Sequence, residues 1–519
     1  MRSFGGPAGS GLVIVAALTV VRPATVLGGV PPALDRIALV VLLLVLARGV
    51  VGRRRLARQA ALTLIAIAAL APPLRLERLP VLVVLAGLLL VRPGGYVVRP
   101  DPHRLRAATV AAALAVTFVL GRGFWEAARH GEPVGQAAQL ALPLLPSAPD
   151  RSTRLFVVAV FAALLAAVAL SLAAWVAPPP GDEAERARVR ALVRHPDSGS
   201  LAPFATRADK TYVFSADGDA VIGYRVRFGV ALAGGDPVGA TGSAPAAVEA
   251  FAALCLLRGW RPAVLGSATA SGALWRQAGV RRAVEIGDEA ILEVATFDLT
   301  GRAKRNLRQA VGRAGNAGIR VTIGPLEAAL VPRLAPILRN WLHGREERGF
   351  AMNLDRILVP RDDVLVAVAW DRADEPQAFA RFAEVAGGRV LSLDVAPRGR
   401  GAPNGVVERL IVETVAYARA HGAAEVSLNF AGMRRVYAGH SLAARLTQVP
   451  LKAFDRWIEL HSLYRFTDKF HPAWRARQLR MHSWFDLLPV ATAALTAEFG
   501  SRPVPAMSTS ELNEAEATA

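Results

Sequence analysis

The apolar residues of this chain of 519 amino acids are distributed unevenly, and that unevenness constrains its fold more than any other feature. Nearly all the long apolar runs lie within residues 1–180, whereas residues 181–500 alternate between strand-like and helix-like patterns. Six apolar segments stand out, at about 11–30, 34–50, 60–73, 79–92, 106–121 and 154–177. They read as six membrane spans, although several fall short of the roughly 20 residues that cross a bilayer. The first carries Arg22-Pro23 with no tidy cleavage site, so it is expected to remain as a span rather than leave as a signal peptide. Arg53, Arg54, Arg55 and Arg58 follow the second segment, Arg99, His103, Arg104 and Arg106 the fourth, and Arg186, Arg188, Arg190 and Arg194 the sixth. Six crossings place these clusters on one face, which puts both termini in the cytoplasm, against a smaller opposing set of Arg75, Arg78, Arg122 and Arg129.

Composition supports this division. Hydrophobic residues make up 53% and the mean hydropathy is +0.33, too apolar for an ordinary soluble protein of this charge. Lys and Arg number 61 against 42 Asp and Glu, a formal net charge of +19. Such an excess points to a polyanionic partner, either nucleic acid or an anionic membrane surface, although basic inner loops would leave some excess alone. The lone cysteine, Cys255, sits in the apolar stretch 252–257 and reads as core packing. Pro178-Pro179-Pro180-Gly181 ends the last segment, and 182–194 reads as a short amphipathic helix at the membrane surface. The chain therefore divides into a transmembrane domain (1–180), a juxtamembrane linker (181–200), an α/β domain (201–500) and a polar, disordered tail (501–519). Within the α/β domain, strands are expected at 221–227, 364–370, 390–395 and 425–430, and helices at 246–258, 303–317 and 404–421.

Three segments of that domain carry chemistry. In 391–405 a strand meets a turn rich in Gly and Arg, Asn404 is placed to cap the helix that follows, and Gly422 stops that helix. Such a turn presents backbone N–H groups at a positive helix end, which suits a phosphate, with Arg398 and Arg400 beside it; it is equally compatible with a structural turn. In 301–313 a helix would line up Arg302, Arg305, Gln309 and Arg313, flanked by Lys304 and Arg308, with Leu307, Ala310 and Ala314 facing inward. No acid interrupts this run, so an anionic partner explains it better than a plain solvated face. In 458–474 aromatics interleave with Arg465, Lys469 and His471 and end on Trp474, a pattern suited either to gripping a nucleotide end or lipid headgroup, or to a packed helix and Pro-capped loop.

Together with Asp209-Lys210, Gly235-Asp236-Pro237, the 347–352 block and Ser427-Leu-Asn429-Phe-Ala431, these segments resemble the synthase domain of the phosphatidylglycerol lysyltransferase (multiple peptide resistance factor) family over residues 209–484. The resemblance implies two tandem acetyltransferase-like (GNAT-type) halves that move an aminoacyl group from aminoacyl-tRNA to phosphatidylglycerol without a cofactor. It implies that Arg302, Arg305, Arg308, Arg398, Arg400, Asn404, Asn429, Arg465, Lys469 and Trp474 contact substrate. An aminoacyl ester is already activated, so the protein must position it and deprotonate a lipid hydroxyl. Asp394 and Glu408, with Glu347 behind them, are the candidate carboxylates, and each would serve equally as a salt-bridge or helix-dipole partner. Scattered histidines and one cysteine offer no metal-ligand cluster. The chain departs from longer family members in having six segments where they have more than a dozen, and in carrying no synthetase module after the synthase-like region. A different acceptor, such as a sterol or diacylglycerol, a peptidyl-type transfer, or non-catalytic binding of anionic lipid or RNA are the alternatives.

Overall fold

The computed structural model describes residues 33–70, 97–130, 175–343, 353–432 and 460–499, with Ala86, Phe350 and a few positions between 163 and 173. The chain divides into two units, Met1–Val176 with Leu254–Trp260, and Ala177–Ala253 with Arg261–Ala519. The first unit contains helices α1 (Ala33–Val51), α2 (Arg55–Leu70) and α3 (Pro102–His130). α1 and α2 pack through Leu46, Ala47, Val50, Ala57 and Ala61. A Cβ at Gly49 would stand 2.5 Å from that of Ala57, so the close approach needs glycine there. These helices fall on the second, third and fifth apolar segments, but no described helix is long and apolar enough to cross a membrane. The segment at 11–30, all of 79–92 but Ala86, about half of 154–177, the loop 131–153 and the tail 501–519 lie outside the described residues.

The second unit opens with α4 (Glu183–Val193), capped by Asp182 in a reciprocal arrangement with Glu185. Val189 and Val193 bury into a cluster with Ala205, Tyr212, Val221 and Val238. The expected linker 181–200 is therefore packed into this unit, because the helix has an apolar face that water would not accept.

The strands β1 (Thr211–Phe214), β2 (Ala220–Arg227), β3 (Val230–Gly234) and β4 (Val238–Gly239) lead into helix α5 (Ala244–Arg258) and β5 (Arg261–Ala268). α6 (Gly272–Gln277) and β6 (Arg282–Glu293) follow. The chain then repeats the pattern: α7 (Arg305–Asn316), β7 (Arg320–Pro325), α8 (Val331–Leu342), β8 (Val364–Trp370), β9 (Pro376–Val385), β10 (Val390–Val395), α9 (Val406–Ala420) and β11 (Glu425–Gly432). It ends with α10 (Leu460–Asp468), β12 (Ala473–Met481) and α11 (Leu487–Phe499). The expected strands and helices all appear, with ends within two residues of those read from the pattern.

All these strands join one sheet, in the order β1-β2-β3-β5-β12-β6-β11-β10-β9-β8-β7, with β4 on β2. β3 and β5 are parallel, as are β10 and β11, and each pair is joined by a crossover helix, α5 or α9. The two halves exchange strands. β12, the last strand, closes the first half against β5, while β6 closes the second half against β11. β12 and β6 then pair antiparallel from Ala473↔Ile291 to Met481↔Arg282, making one continuous sheet. α7, α9 and the second-half strands share a core of Leu307, Ala314, Ala367, Phe382, Leu410 and Val426.

Candidate active site

The three chemistry-bearing segments meet at the start of α9. Gly405, in the left-handed region at φ 97°, is the N-cap of that helix, and a Cβ there would stand 2.0 Å from the carbonyl oxygen of Ala310 on α7. Only glycine permits this approach, and it sets α7 against the first turn of α9. In that turn Glu408, 8% exposed, accepts from Lys469 Nζ at 2.9 Å. Two residues further on, His471 Nε2 lies 3.2 Å from the carbonyl of Ala303, in the turn that enters α7. The 469–471 turn thus clips the N-terminal ends of α7 and α9 together, beside the exposed Arg398 and Arg400. Leu307, Ala310 and Ala314 bury, as the helical spacing predicts, and Arg302, Arg305, Gln309 and Arg313 are exposed, with no ion pair to Arg302, Arg305 or Arg313 among the described residues. The result is a cationic surface enclosing one half-shielded carboxylate–ammonium pair. Such a surface can hold phosphates and offer a carboxylate to a proton or an amine.

A second polar assembly runs through the middle of the sheet. Glu289 on β6 is fully buried, accepts from Ser427 Oγ on β11 at 2.5 Å and pairs with the guanidinium of Arg477 on β12. Arg477 also lies 4.0 Å from Asp236, which follows β3 and accepts from Ser267 Oγ, the Ala268 amide and Trp275 Nε1 at 2.8–2.9 Å. Near the end of β3, Lys210 is fully buried with its Nζ 3.1 Å from the Phe350 ring centroid, and that amine makes no hydrogen bond among the described residues. A Cβ at Gly234 would come within 2.3 Å of it. Burial holds the Lys210 amine down to about 7, with Asp209 opposing the shift. Sequence reading singles out Asp209-Lys210 and 235–237 as motif matches without a role, and passes over Glu289 and Arg477. Glu289 is one of several acids along β6, beside Glu285, Asp288 and Glu293, so its burial leaves no mark in the sequence.

Comparison with known proteins places this architecture. Residues 189–480 match the family described as phosphatidylglycerol lysyltransferase, C-terminal. The chain belongs to this family. An MprF-like domain protein of Mycobacterium tuberculosis is 38% identical over 326 residues, covering 61% of this chain and 67% of the relative. The lysylphosphatidylglycerol biosynthesis bifunctional protein LysX of Gordonia bronchialis is 39% identical over 323 residues, covering 60% of this chain but only 28% of the relative. Among solved structures, the C-terminal domain of a putative lysylphosphatidylglycerol synthetase from Agrobacterium fabrum superposes with a TM-score of 0.53 at 24% identity, covering 62% of this chain and all of that one. L-PGS from Bacillus licheniformis gives the same TM-score at 20% identity, over 62% of this chain and 98% of that one. The α/β unit therefore has the mixed α/β fold of these two domains.

Within this lysyltransferase-type domain several expected site residues take other duties. Asp394 is buried, one oxygen held by Arg381 at 2.6 Å and the other by the Leu354 amide at 2.7 Å, so it is occupied in holding the 353–357 segment to β10. Asn404 is exposed and does not cap α9; Gly405 occupies the cap, because the contact with Ala310 leaves no room for a side chain. Arg308 donates to the carbonyls of Leu299 and Gly301 and closes the turn into α7. Asn429, at φ 68°, sits in a β11 bulge and donates to the Leu393 carbonyl at 3.0 Å, tying β10 to β11. Trp474 packs on the second-half core, 5.9 Å from Tyr464. Arg465 is exposed on α10, Lys469 takes the pairing with Glu408, and Glu347 lies outside the described residues. Cys255 is buried and its thiol is pushed up by that burial, in keeping with core packing. Among the described residues no group of His, Cys, Asp or Glu is arranged to hold a metal ion.

Proposed function

We propose that this chain transfers an aminoacyl group from aminoacyl-tRNA to a hydroxyl of phosphatidylglycerol at the inner leaflet of the cell membrane. The lipid oxygen attacks the ester carbonyl, a new ester forms, the bond to the tRNA ribose breaks, and the hydroxyl proton passes to the departing ribose oxygen. One ester replaces another, so no ATP is needed. The observation that carries the reading is the meeting of Arg302 in the turn before α7, Arg305 and Arg313 on α7, Arg398 and Arg400 before α9, and the Glu408–Lys469 pair, a surface suited to two anionic substrates. In this reading Glu408 orients the donor's α-amino group or takes the proton, with Glu347 as a second candidate, and Asp394 acts only by positioning.

The same proposal keeps six spans with both termini in the cytoplasm, so that the domain meets tRNA. The α3 stripe of Val110, Leu114, Phe118 and Trp125, each more than half exposed, supports a lipid-facing surface in the first unit. Adding a neutral or cationic amino acid to the lipid would lower the membrane's negative charge and weaken the binding of cationic peptides. Incubating the membrane-reconstituted chain with labelled aminoacyl-tRNA pools, without ATP, and separating lipids by thin-layer chromatography tests the reaction. A labelled lipid with the mobility of an aminoacyl-phosphatidylglycerol is expected. No labelled lipid with any amino acid, from protein that is folded and binds tRNA, would leave a binding role in its place. Reporter fusions after Arg58, Leu140 and Ser200 test the topology, and an external signal after Ser200 would overturn it.

A further inference from the structure

One edge of the first half carries an apolar surface that the transfer site does not use. β3 and β5 begin there, side by side at Val230 and Arg261, while β12 ends there and β6 begins, paired at Met481 and Arg282. The tight turn between β2 and β3 puts Phe228 at this edge, 67% exposed. The chain leaving β12 turns through Trp484–Asp486 into α11 and adds Trp484, Phe485 and Leu488, at 53%, 96% and 77% exposed. A scattered exposed apolar residue is ordinary, but four large ones on neighbouring turns of one edge are not.

The same turn is firmly built. Ser483 and Asp486 cap each other, and Asp486 pairs with Arg261 at 3.3 Å, so the aromatics are held outward rather than left loose. α11 buries Val490, Ala493, Ala494 and Ala497 in the first-half core, and from Leu487 to Ala497 it has no ionisable residue on its outer side either. A water-facing helix would carry charges there. Arginines border the apolar groups: Arg261 and Arg282 at the strand ends, Arg282 lying 5.8 Å from the Trp484 ring centroid, and Arg281 next to it. Tryptophan, phenylalanine and leucine ringed by arginine is the composition that enters the boundary between headgroups and acyl chains of an anionic bilayer.

We propose that this edge, built on Phe228, Trp484, Phe485 and Leu488 with Arg281 and Arg282, docks the α/β unit onto an anionic phospholipid surface. Charge complementarity selects the occupant: an apolar wedge alone would suit a protein partner, whereas an apolar wedge rimmed by arginine suits a bilayer carrying negative headgroups. The proposal rests on the lipid-acceptor reading for its purpose, because a docked domain meets its acceptor in the plane where that lipid lies, but its geometry stands apart from the chemistry.

The test is a depth measurement that needs no turnover. The full chain with Cys255→Ser, reconstituted into phosphatidylcholine vesicles with or without phosphatidylglycerol, carries a nitroxide at Phe485→Cys, at Leu488→Cys or, as a control, at Ala373→Cys on the exposed turn after β8. Phe485 and Leu488 are too exposed for their replacement to cost packing. With phosphatidylglycerol present, the labels at 485 and 488 are expected to collide with lipid-dissolved oxygen several-fold more than with a water-soluble nickel chelate, relative to the label at 373. Arg281→Glu with Arg282→Glu should return them towards the control. Labels at 485 and 488 that stay as water-accessible as 373 would overturn the proposal, and so would labels shielded from both reagents, which would mean that residues 500–519 or a second copy covers the edge. Lipid aminoacylation with wet labels removes the docking surface alone; dry labels without aminoacylation remove the reaction alone.

Discussion

Lys210 illustrates how much a single side chain can cost. Its amine lies under Phe350 with no hydrogen bond among the described residues, and burial brings it down to about 7 from an ordinary value near 10.5. Between those two values the unfolded chain holds a proton that the native chain does not, so stability should rise as pH rises through that window. Thermal melting in detergent should show this rise in the parent chain, and Lys210→Met should flatten it while raising the midpoint near neutral pH. An unchanged pH slope in that variant would show that the amine is not the group responsible. Glu408 is a different case, a carboxylate held by one ammonium at the mouth of the proposed site. Glu408→Gln keeps the shape but not the charge, and transfer should fall by roughly a hundredfold if the carboxylate moves a proton or holds the donor amine. Lys469→Met should lower transfer less, since it leaves the carboxylate in place, and both variants should melt within a few degrees of the parent.

At the scale of elements, α7 was legible in almost every respect. The inward set of Leu307, Ala310 and Ala314 and the outward Arg305 and Arg313 follow from 3.6-residue periodicity alone, while Arg302 lies in the turn before the helix. Arg308 shows the limit of that reasoning: it lies on the outer side, yet donates to two carbonyls of the preceding turn, a bond that depends on how the chain enters the helix. Arg302, Arg305 and Arg313 changed together to Gln should therefore weaken tRNA binding and reduce the slope of log affinity against log salt by about 0.7 for each phosphate that is no longer neutralised. Filter binding across a salt series measures this, and an unchanged slope would make α7 a solvated face. β12 is the opposite case. A strand carrying Arg475, Arg477 and Arg480 at the centre of a sheet breaks the usual alternation, and its arginines are accommodated because Glu289 and Ser267 await them on the two neighbouring strands and Glu425 on the strand beyond β6.

For the whole molecule, the strand exchange has a mechanical consequence. With β12 serving the first half and β6 the second, neither half has its full sheet without the other, and the buried Glu289–Arg477 pair lies at the join. Arg477→Met leaves the Glu289 carboxylate buried without this counter-charge and should cost about 3–5 kcal/mol, with both halves melting in one transition, whereas replacing both residues by apolar ones should restore much of the loss. Two separate transitions in any of these variants would show that the halves fold independently. The pattern along the chain determined the division into an apolar first part and an α/β second part, the positions of most strands and helices, and the family, because these depend on neighbours a few residues apart. Only the tertiary structure decided that Asp394 is spent on Arg381, that Gly405 rather than Asn404 begins α9, and that Glu408 finds Lys469 61 residues away. Those outcomes turn on which groups the exchanged sheet brings within hydrogen-bonding distance, and contacts between residues far apart in the chain leave no periodicity in it.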